Sequence, residues 1–547
     1  VILSDKKLLD VAPTEINASG YTMVQFDKDD VEAIGLLKLD VLGVRMQSAI
    51  SYSLQEIERI EGERIDIDAI PLDDAPTFKL IQSTKTLGLF QIESPGQREL
   101  VGKLQPRTFS DLIIDISLFR PGPVKSDMIR PFLEARGGFT APQLIHPMLA
   151  PILAQTEGVV VFHEQVISII SVMTGISLAA ADEKRRALGS KEGQQKVCDW
   201  FFPAATAEGY ELATITTIWD VLRAFASFGF CKAHAAAFAL PTYQSAWLKT
   251  HHPAAFIAGV LTHDPGMYPK RLLLDEARHI GVGIAPLDIN KSSSDYHVER
   301  TLDGDAVRIA FSSVAGISDK EIASIITGQP YIDLADFYRR SGASTPVIEN
   351  LIMTGAFDSI HTNQRDLLLH FSDLQKSPVA HIPGSQLTFG FAAPALESSG
   401  LQPLNVAEKV RSEVERLGMD VTQHMLSFYA PFLNAIGAVK SSDLLSLRSK
   451  SSVLVAGVKV ALQTPPVRSG RRVIFLTLDD GYGCSDSTFF PDAQVDHAST
   501  LYSTSLLLVR GETRRTGARG ISIRATAVWD LRLAYEKWRK QADSVAI

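Results

Sequence analysis

Cysteine is scarce in this 547-residue chain: Cys198, Cys231 and Cys484 are widely separated and form no CxxC pair. That excludes a disulfide-stapled secreted scaffold and a thiolate zinc site, and it suits a reducing compartment. Long hydrophobic runs are missing too. No stretch reaches the roughly 18 apolar residues that a membrane-crossing helix needs. Residues Val1 to Lys6 have neither the charge layout nor the length of a secretory signal, and no initiator methionine stands at the start. The expectation is a cytoplasmic protein without a membrane partner, and one that can be a fragment. Basic charge is also short: 54 Lys and Arg stand against 62 Asp and Glu, a net charge of −8. A uniformly basic nucleic-acid binder is therefore excluded, but the deficit is uneven. From Ser451 to Ile547 there are 13 Lys and Arg against 9 Asp and Glu, and phosphate contact requires only a local basic surface.

What is present is length and a change of pattern along it. The chain is too long for one core, and roughly three or four domains are the prior. GLLKLDVLGVR (35–45) reads as an apolar strand in which Lys38 and Asp40, two apart, project from one face. MQSAISYSLQEIERIEGE, from Met46, has the spacing of an amphipathic helix, and PLDD (71–74) supplies a proline and an acidic start for the next one. Helical periodicity continues to about residue 280. VAGISDKEIASII (314–326) and PVIENLIMTGAFDSI (346–360) follow as helix–turn–helix units, and residues 375–410, rich in Pro, Ser, Gly and Ala, read as a linker. From Val453 the period becomes two, over five short segments with DDG and SG turns, which predicts a small β-barrel of the OB type.

Taken singly, the polar residues have plain readings. Lys38 and Asp40 suit a strand end, Arg185 and Arg186 an exposed salt-bridged helix face, and FRPGP a rigid loop carrying Arg120. His234 suits a satisfied core site. Gln91 and Glu93 suit loop-holding roles. Asp66, Asp68, Asp73 and Asp74 suit solvated loop and cap positions. Paired arginines near a helix end can also grip a triphosphate through fork-like hydrogen bonds. In the C-terminal segment Arg471, Arg472, Phe475, Phe489 and Phe490 mix cations with rings on which bases can stack, or the rings fill the barrel.

Five segments in order, GLLKLDVLGVR (35–45), LFQIES (89–94), LFRPGP (118–123), ADEKRRALGSK (181–191) and FGFCKAHAAAFALPTYQSAWLK (228–249), resemble the bacterial C-family replicative DNA polymerases (DNA polymerase III alpha) nearly end to end. The resemblance implies an α+β multidomain fold: mostly helical fingers with tandem helix–hairpin–helix units, a short palm remnant and a C-terminal OB-type β-barrel. It divides the chain into a second palm segment (1–45), fingers (46–300), a helix–hairpin–helix region (301–374), a linker and clamp-binding-like region (375–450), an OB domain (451–533) and a tail (534–547). The activity implied is template-directed transfer of a nucleotide from dNTP to a primer 3′-OH at a two-metal Mg²⁺ site. Asp40 matches the third metal-site aspartate and Lys38 the neighbouring triphosphate-side lysine. Arg120, Arg185, Arg186, Lys191 and Lys232 match nucleotide-side positions. Gly316 and Gly355 are the hairpin glycines, and Arg471, Arg472 and Phe475 the DNA contacts of the barrel. Gln386, Leu387 and Phe389, in GSQLTFGF, fall where the family binds its sliding clamp, with a spacing one residue short. Primer–template DNA, dNTP, the clamp and other polymerase III or mutasome subunits are the implied partners.

Departures from the family pattern bear on activity. Ser190 stands where a lysine is frequent, and Cys231 and Ala233 replace an asparagine and a serine. The serine leaves the cationic surface slightly thinner, whereas the Cys231 and Ala233 replacements, with no clamp-loader segment apparent after Leu533, point to an error-prone paralogue. No PDxDxD-like segment supplies the other two metal aspartates, so the chain by itself is expected not to polymerise. The competing readings are a non-catalytic DNA-binding accessory protein and a truncated product that needs a missing half.

Overall fold

The computed structural model describes residues 1–17, 20–39, 41, 43–118, 129–142, 144–225, 230–376, 395–464, 472–515 and 520–545. The chain divides into a small unit, Val1–Arg45, and a large one, Met46–Ile547. In the small unit Ile2–Leu3 pairs antiparallel with Leu37–Lys38, and Thr14–Ile16 with Thr22–Val24. The expected apolar strand is only two residues long. Leu36 is buried, but Leu37, Leu39 and Val41 are exposed, so the apolar letters do not mark a core strand here.

The large unit opens with helices α1 (Arg45–Glu61), α2 (Pro95–Leu104) and α3 (Phe109–Leu118). Asp74, in the predicted PLDD start, caps the intervening helix Ala75–Gln82 by accepting the Thr77 N–H. A helical cluster follows: α4 (His163–Thr174), α5 (Leu178–Ala187), α6 (Lys191–Ala207) and a helix at Leu212–Phe225. They enclose one core that includes Ile170, Met173, Leu188, Phe201 and Trp219. Helix α7 (Lys232–His251) is buried along much of its length, and Tyr243 donates to the Pro71 carbonyl at 2.8 Å while accepting the Asp74 N–H at 2.9 Å. Helices α8 (Pro253–His263) and α9 (Lys270–His279) complete this part. No single described helix is long and apolar enough to cross a membrane.

A three-stranded sheet formed by Gly283–Ala285, Gly304–Arg308 and His297–Thr301 leads into four helices between Asp319 and Lys376. The linker expectation (375–410) is corrected at its end, from Val406 onward. Asn405 and Glu408 form a capping box that starts a helix at Val406–Leu417. That helix is tied down by Ser412 to the Met353 carbonyl and by Arg365 to Glu408.

Five strands, β1 (Ser452–Gln463), β2 (Ile474–Asp479), β3 (Cys484–Phe489), β4 (Leu506–Arg515) and β5 (Ile521–Asp530), close a barrel in the order β1-β2-β3-β5-β4. Every neighbouring pair is antiparallel except β3 with β5, an arrangement that fits the expected OB type. Register shifts at Lys459/Ala461 and Arg510/Gly511 bend the strands. The expected C-terminal tail is instead a helix, Leu531–Val545, whose Tyr535 and Trp538 pack on Phe432.

Candidate functional site

The RRALGSK segment forms a corner between two helices. Ser177 caps α5, and Ser190 caps α6 by accepting the Gly193 N–H. Gly193 is required at this bend, since a Cβ there would lie 1.9 Å from the Ala187 carbonyl oxygen. Asp182 organises the arginines: Arg185 Nε donates to Oδ1 at 2.8 Å and Arg186 Nε to Oδ2 at 2.9 Å. These bonds hold the Asp182 carboxyl below the usual range, Arg185 contributing most. Arg186 remains 73% exposed against 21% for Arg185, and Lys191 is exposed at the start of α6. The corner thus holds two ordered guanidiniums at the end of α5 and an ammonium at the head of α6.

A second cationic position lies at the head of α7. The Phe162 and Phe230 backbones form a bridge that sets the N-termini of α4 and α7 together. Glu164 accepts the Lys232 N–H with both oxygens, at 3.0 and 3.1 Å, a favourable place for a carboxylate. Lys232 Nζ donates to Gln155 Oε1 at 2.8 Å and lies 5.5 Å from the Phe162 ring centre. Cys231 Sγ is 3.6 Å from Glu164 Oε1, a weak contact. His234 is exposed, edge-on to Phe230 and Phe238, which corrects the core reading. Glu164 was not singled out in the sequence. Its signal is an acidic residue in the first turn of a helix, which is too common to stand out.

Glu93 does hold loops: it accepts the N–H groups of Gly88 and Met267, and burial pushes its carboxyl above the usual range. In the hairpin region both glycines take left-handed backbone, φ +78° at Gly316 and +79° at Gly355. They differ in surroundings. Gly316 has open space beyond its Cα, whereas the Gly355 N–H donates to Ile352 and the Asp358 carboxylate lies beside it.

On the barrel, strand alternation sorts the aromatics. Phe489 is wholly buried inside, while Phe475 is 38% exposed and Phe490 half-buried. The Arg524 guanidinium sits 5.4 Å from the Phe490 ring centre, and Arg472 is exposed. Phe475, Phe490 and Arg514 line a cleft of about 740 Å³ whose far wall is α2. Arg514 and Arg524 were missed in the sequence because only a known register shows which side of a strand they take. Lys38 is exposed on its short strand. Asp40, Arg120, Gln386, Leu387, Phe389 and Arg471 lie outside the described residues.

Among the described residues one metal-capable group converges, Asp275, His424 and Asp479, with donor atoms within 4.8 Å of one another. It does not fit a magnesium site. Magnesium takes oxygen ligands, whereas here an imidazole is central and the Arg271 guanidinium lies 3.3 Å from its Nε2. His424 Nδ1 accepts the Leu426 N–H, so the neutral ring carries its proton on Nε2, the atom a metal would need.

Comparison with known proteins follows the same division. Residues 46–209 match the bacterial DNA polymerase III alpha subunit finger domain, residues 1–43 the bacterial DNA polymerase III alpha NTPase domain, and residues 281–367 a helix–hairpin–helix motif. The chain is 34% identical to an error-prone DNA polymerase of Symbiobacterium thermophilum, over 92% of its own length and 50% of that protein. It is 33% identical to a DNA polymerase III subunit alpha of Vibrio cholerae and 32% to that of Escherichia coli (strain K12), in each case over 99% of this chain and 49% of the relative. The chain thus spans about half the length of the curated relatives it matches. Two segments of one subunit are thus matched in their proper order, and along almost its whole length the chain is similar, at identity near one third, to about half of the bacterial DNA polymerase III alpha subunit.

Proposed function

We propose that this chain supplies the fingers, hairpin and barrel parts of a DNA polymerase that extends a primer on a template, in replication or in error-prone repair synthesis. The primer 3′-oxygen attacks the α-phosphorus of a dNTP, a new P–O bond forms, and pyrophosphate leaves with the electrons of the broken bond. The observation that carries this reading is the arginine corner. Asp182 fixes two guanidiniums beside an exposed lysine, and such forks suit a triphosphate. In this reading Lys232 and Arg120 add to the same charge, and Lys38 serves the palm side. Asp40 would hold Mg²⁺, whose chemistry is to neutralise charge that builds on the phosphoryl oxygens.

The remaining partners follow from the same assignment. Primer–template DNA runs over the hairpin at Gly316 and the outer barrel face at Arg472, Phe475 and Arg524. The segment at Gln386, Leu387 and Phe389 would meet a sliding clamp, and other polymerase subunits would complete the assembly in a reducing cytoplasm.

The test is nucleotide binding by the chain, followed by fluorescence of a labelled dNTP. Arg185→Ala/Arg186→Ala should raise Kd at least about tenfold, about 1.4 kcal/mol, while DNA affinity stays within about twofold. An unchanged Kd would sink the nucleotide role. DNA binding that is salt-sensitive and indifferent to nucleotide would favour the accessory-protein reading instead. In parallel, primer extension by the whole polymerase should disappear in Asp40→Ala.

A further inference from the structure

Where the barrel meets α9, six charged or titratable side chains share one buried site. Helix α9 contributes Arg271, Asp275 and Arg278. The segment after the 406–417 helix contributes Asp420 and His424, and the end of β2 contributes Asp479. The Asp420 and Asp479 side chains have no exposure and Asp275 has 3%. His424 Nε2 lies 3.2 Å from Asp479 Oδ2 and 3.6 Å from Asp275 Oδ2, and Arg271 Nη2 lies 3.3 Å from Asp420 Oδ2. Arg278 bonds Asp275 Oδ1 and donates to the carbonyls of Asp420 and Val421. Nearby charges are engaged elsewhere: Glu276 with Lys249, Asp480 with Ser441 and Tyr482, Glu413 with Val421 and Thr422, and His279 with the Gly481 carbonyl.

The charges do not balance as drawn. With His424 neutral, three carboxylates face two guanidiniums, leaving one negative charge in excess inside a buried site. Asp275 Oδ2 and Asp420 Oδ1 have no hydrogen-bond partner among the described residues. A buried uncompensated charge is costly, and one added proton removes it. The titration directions agree. Burial first, then the Asp479 charge, push the Asp275 carboxyl up to about 7. Burial opposes charging of His424, but Asp479, Asp275 and Asp420 together hold it above its ordinary value. The proton belongs to the cluster more than to one residue.

Among the described residues a few other contacts cross this junction, the His279 Nε2 contact with the Gly481 carbonyl among them. Arg98 Nη2 meets Asp486 Oδ2 at 2.9 Å and lies 3.5 Å from the Tyr268 hydroxyl. A small apolar patch sets Leu87, Tyr268 and Leu272 against Val460, Ala461 and Cys484. We propose that the shared proton is a latch: it seats the barrel on α9, and its loss on the alkaline side of neutrality loosens that corner while Arg98–Asp486 remains as the pivot.

The sign follows from linkage. A carboxyl whose folded value is raised contributes most at low pH, and that contribution is lost as pH rises through about 7. Hydrogen–deuterium exchange of the whole chain tests this, with exchange times scaled for the intrinsic pH dependence and α4 as internal reference. Protection of segments 418–429 and 474–482 should fall at least about fivefold between about pH 6 and about pH 8.5, with no matching fall in α4. Asp275→Asn restores the charge balance without a proton and should flatten the profile. Asp420→Asn does the same from another element and serves where the first variant does not fold. A flat wild-type profile, or a fall that persists in the folded variants, would overturn the latch.

Discussion

Lys249 offers a sharp test of how the fingers hold together. Its side chain is wholly shielded in α7, and Nζ donates to the carbonyls of Lys85 at 3.0 Å and Leu87 at 2.8 Å and to Glu276 Oε1 at 2.6 Å. One ammonium therefore ties α7, α9 and the loop before α2. Lys249→Met keeps the aliphatic stem and removes the charge. Glu276, with 7% side-chain exposure, is then a buried carboxylate without a counter-charge, a loss of about 3–5 kcal/mol. Two carbonyls also lose their donor, at about 1–3 kcal/mol each where water cannot enter. These effects overlap, so the expected loss is about 4 kcal/mol or somewhat more. Lys249→Met/Glu276→Gln should recover about half of it, since the stranded charge has gone. Urea unfolding followed by tryptophan fluorescence measures both, and Trp247 sits on the same helix. A single-variant loss below about 1 kcal/mol, or a double variant no better than the single, would refute the reasoning.

Three further outcomes are expected. Gly259→Ala should cost about 1–3 kcal/mol in thermal melts, because the new Cβ would lie 2.4 Å from the Ala49 carbonyl oxygen and 2.5 Å from Ser53 Oγ. Adding Ser53→Ala should not rescue it, since the backbone clash remains. Asp115 is buried without a partner among the described residues, and burial raises its carboxyl well above the usual range. Its contribution is present at low pH and lost as pH rises through the folded value. Asp115→Asn should therefore gain on the wild type as pH rises, by about 1.36 kcal/mol for each pH step of one between the unfolded and folded carboxyl values. Urea titrations on either side of neutrality that show no such gain would count against it. On the barrel, Phe475→Ala should weaken single-stranded DNA binding by about 1–3 kcal/mol with an unchanged salt slope, whereas Arg524→Ala should reduce that slope by about 0.7. Fluorescence anisotropy over a salt series separates the two.

Local features were readable in the residues. The α1 stripe, the Asp74 cap and the five period-two segments appear where spacing and cap chemistry put them, because such signals act within a few residues. The helix at Val406–Leu417 had its capping box in plain view, but the Pro- and Ser-rich run before it outweighed that signal. The helix Leu531–Val545 was lost for a related reason. Its apolar face exists to cover Phe432, about a hundred residues upstream. The arginines at 185 and 186 pair with Asp182 within one helical turn, as a salt-bridged face requires, and that much was legible. Glu164 was not, because it reaches Lys232 across 68 positions of chain. The proton-holding cluster was invisible for the same cause, since its members at 271–278, 420–424 and 479 meet only after folding.

The parallel union of β3 and β5 has one more consequence. It is the seam that seals the barrel, so none of its five described strands is left as a free edge. A protein that recruits by adding a strand of its own finds no template there. Anything that grips this part of the molecule must read side chains and the connections between strands, where sequence can drift without disturbing the wall.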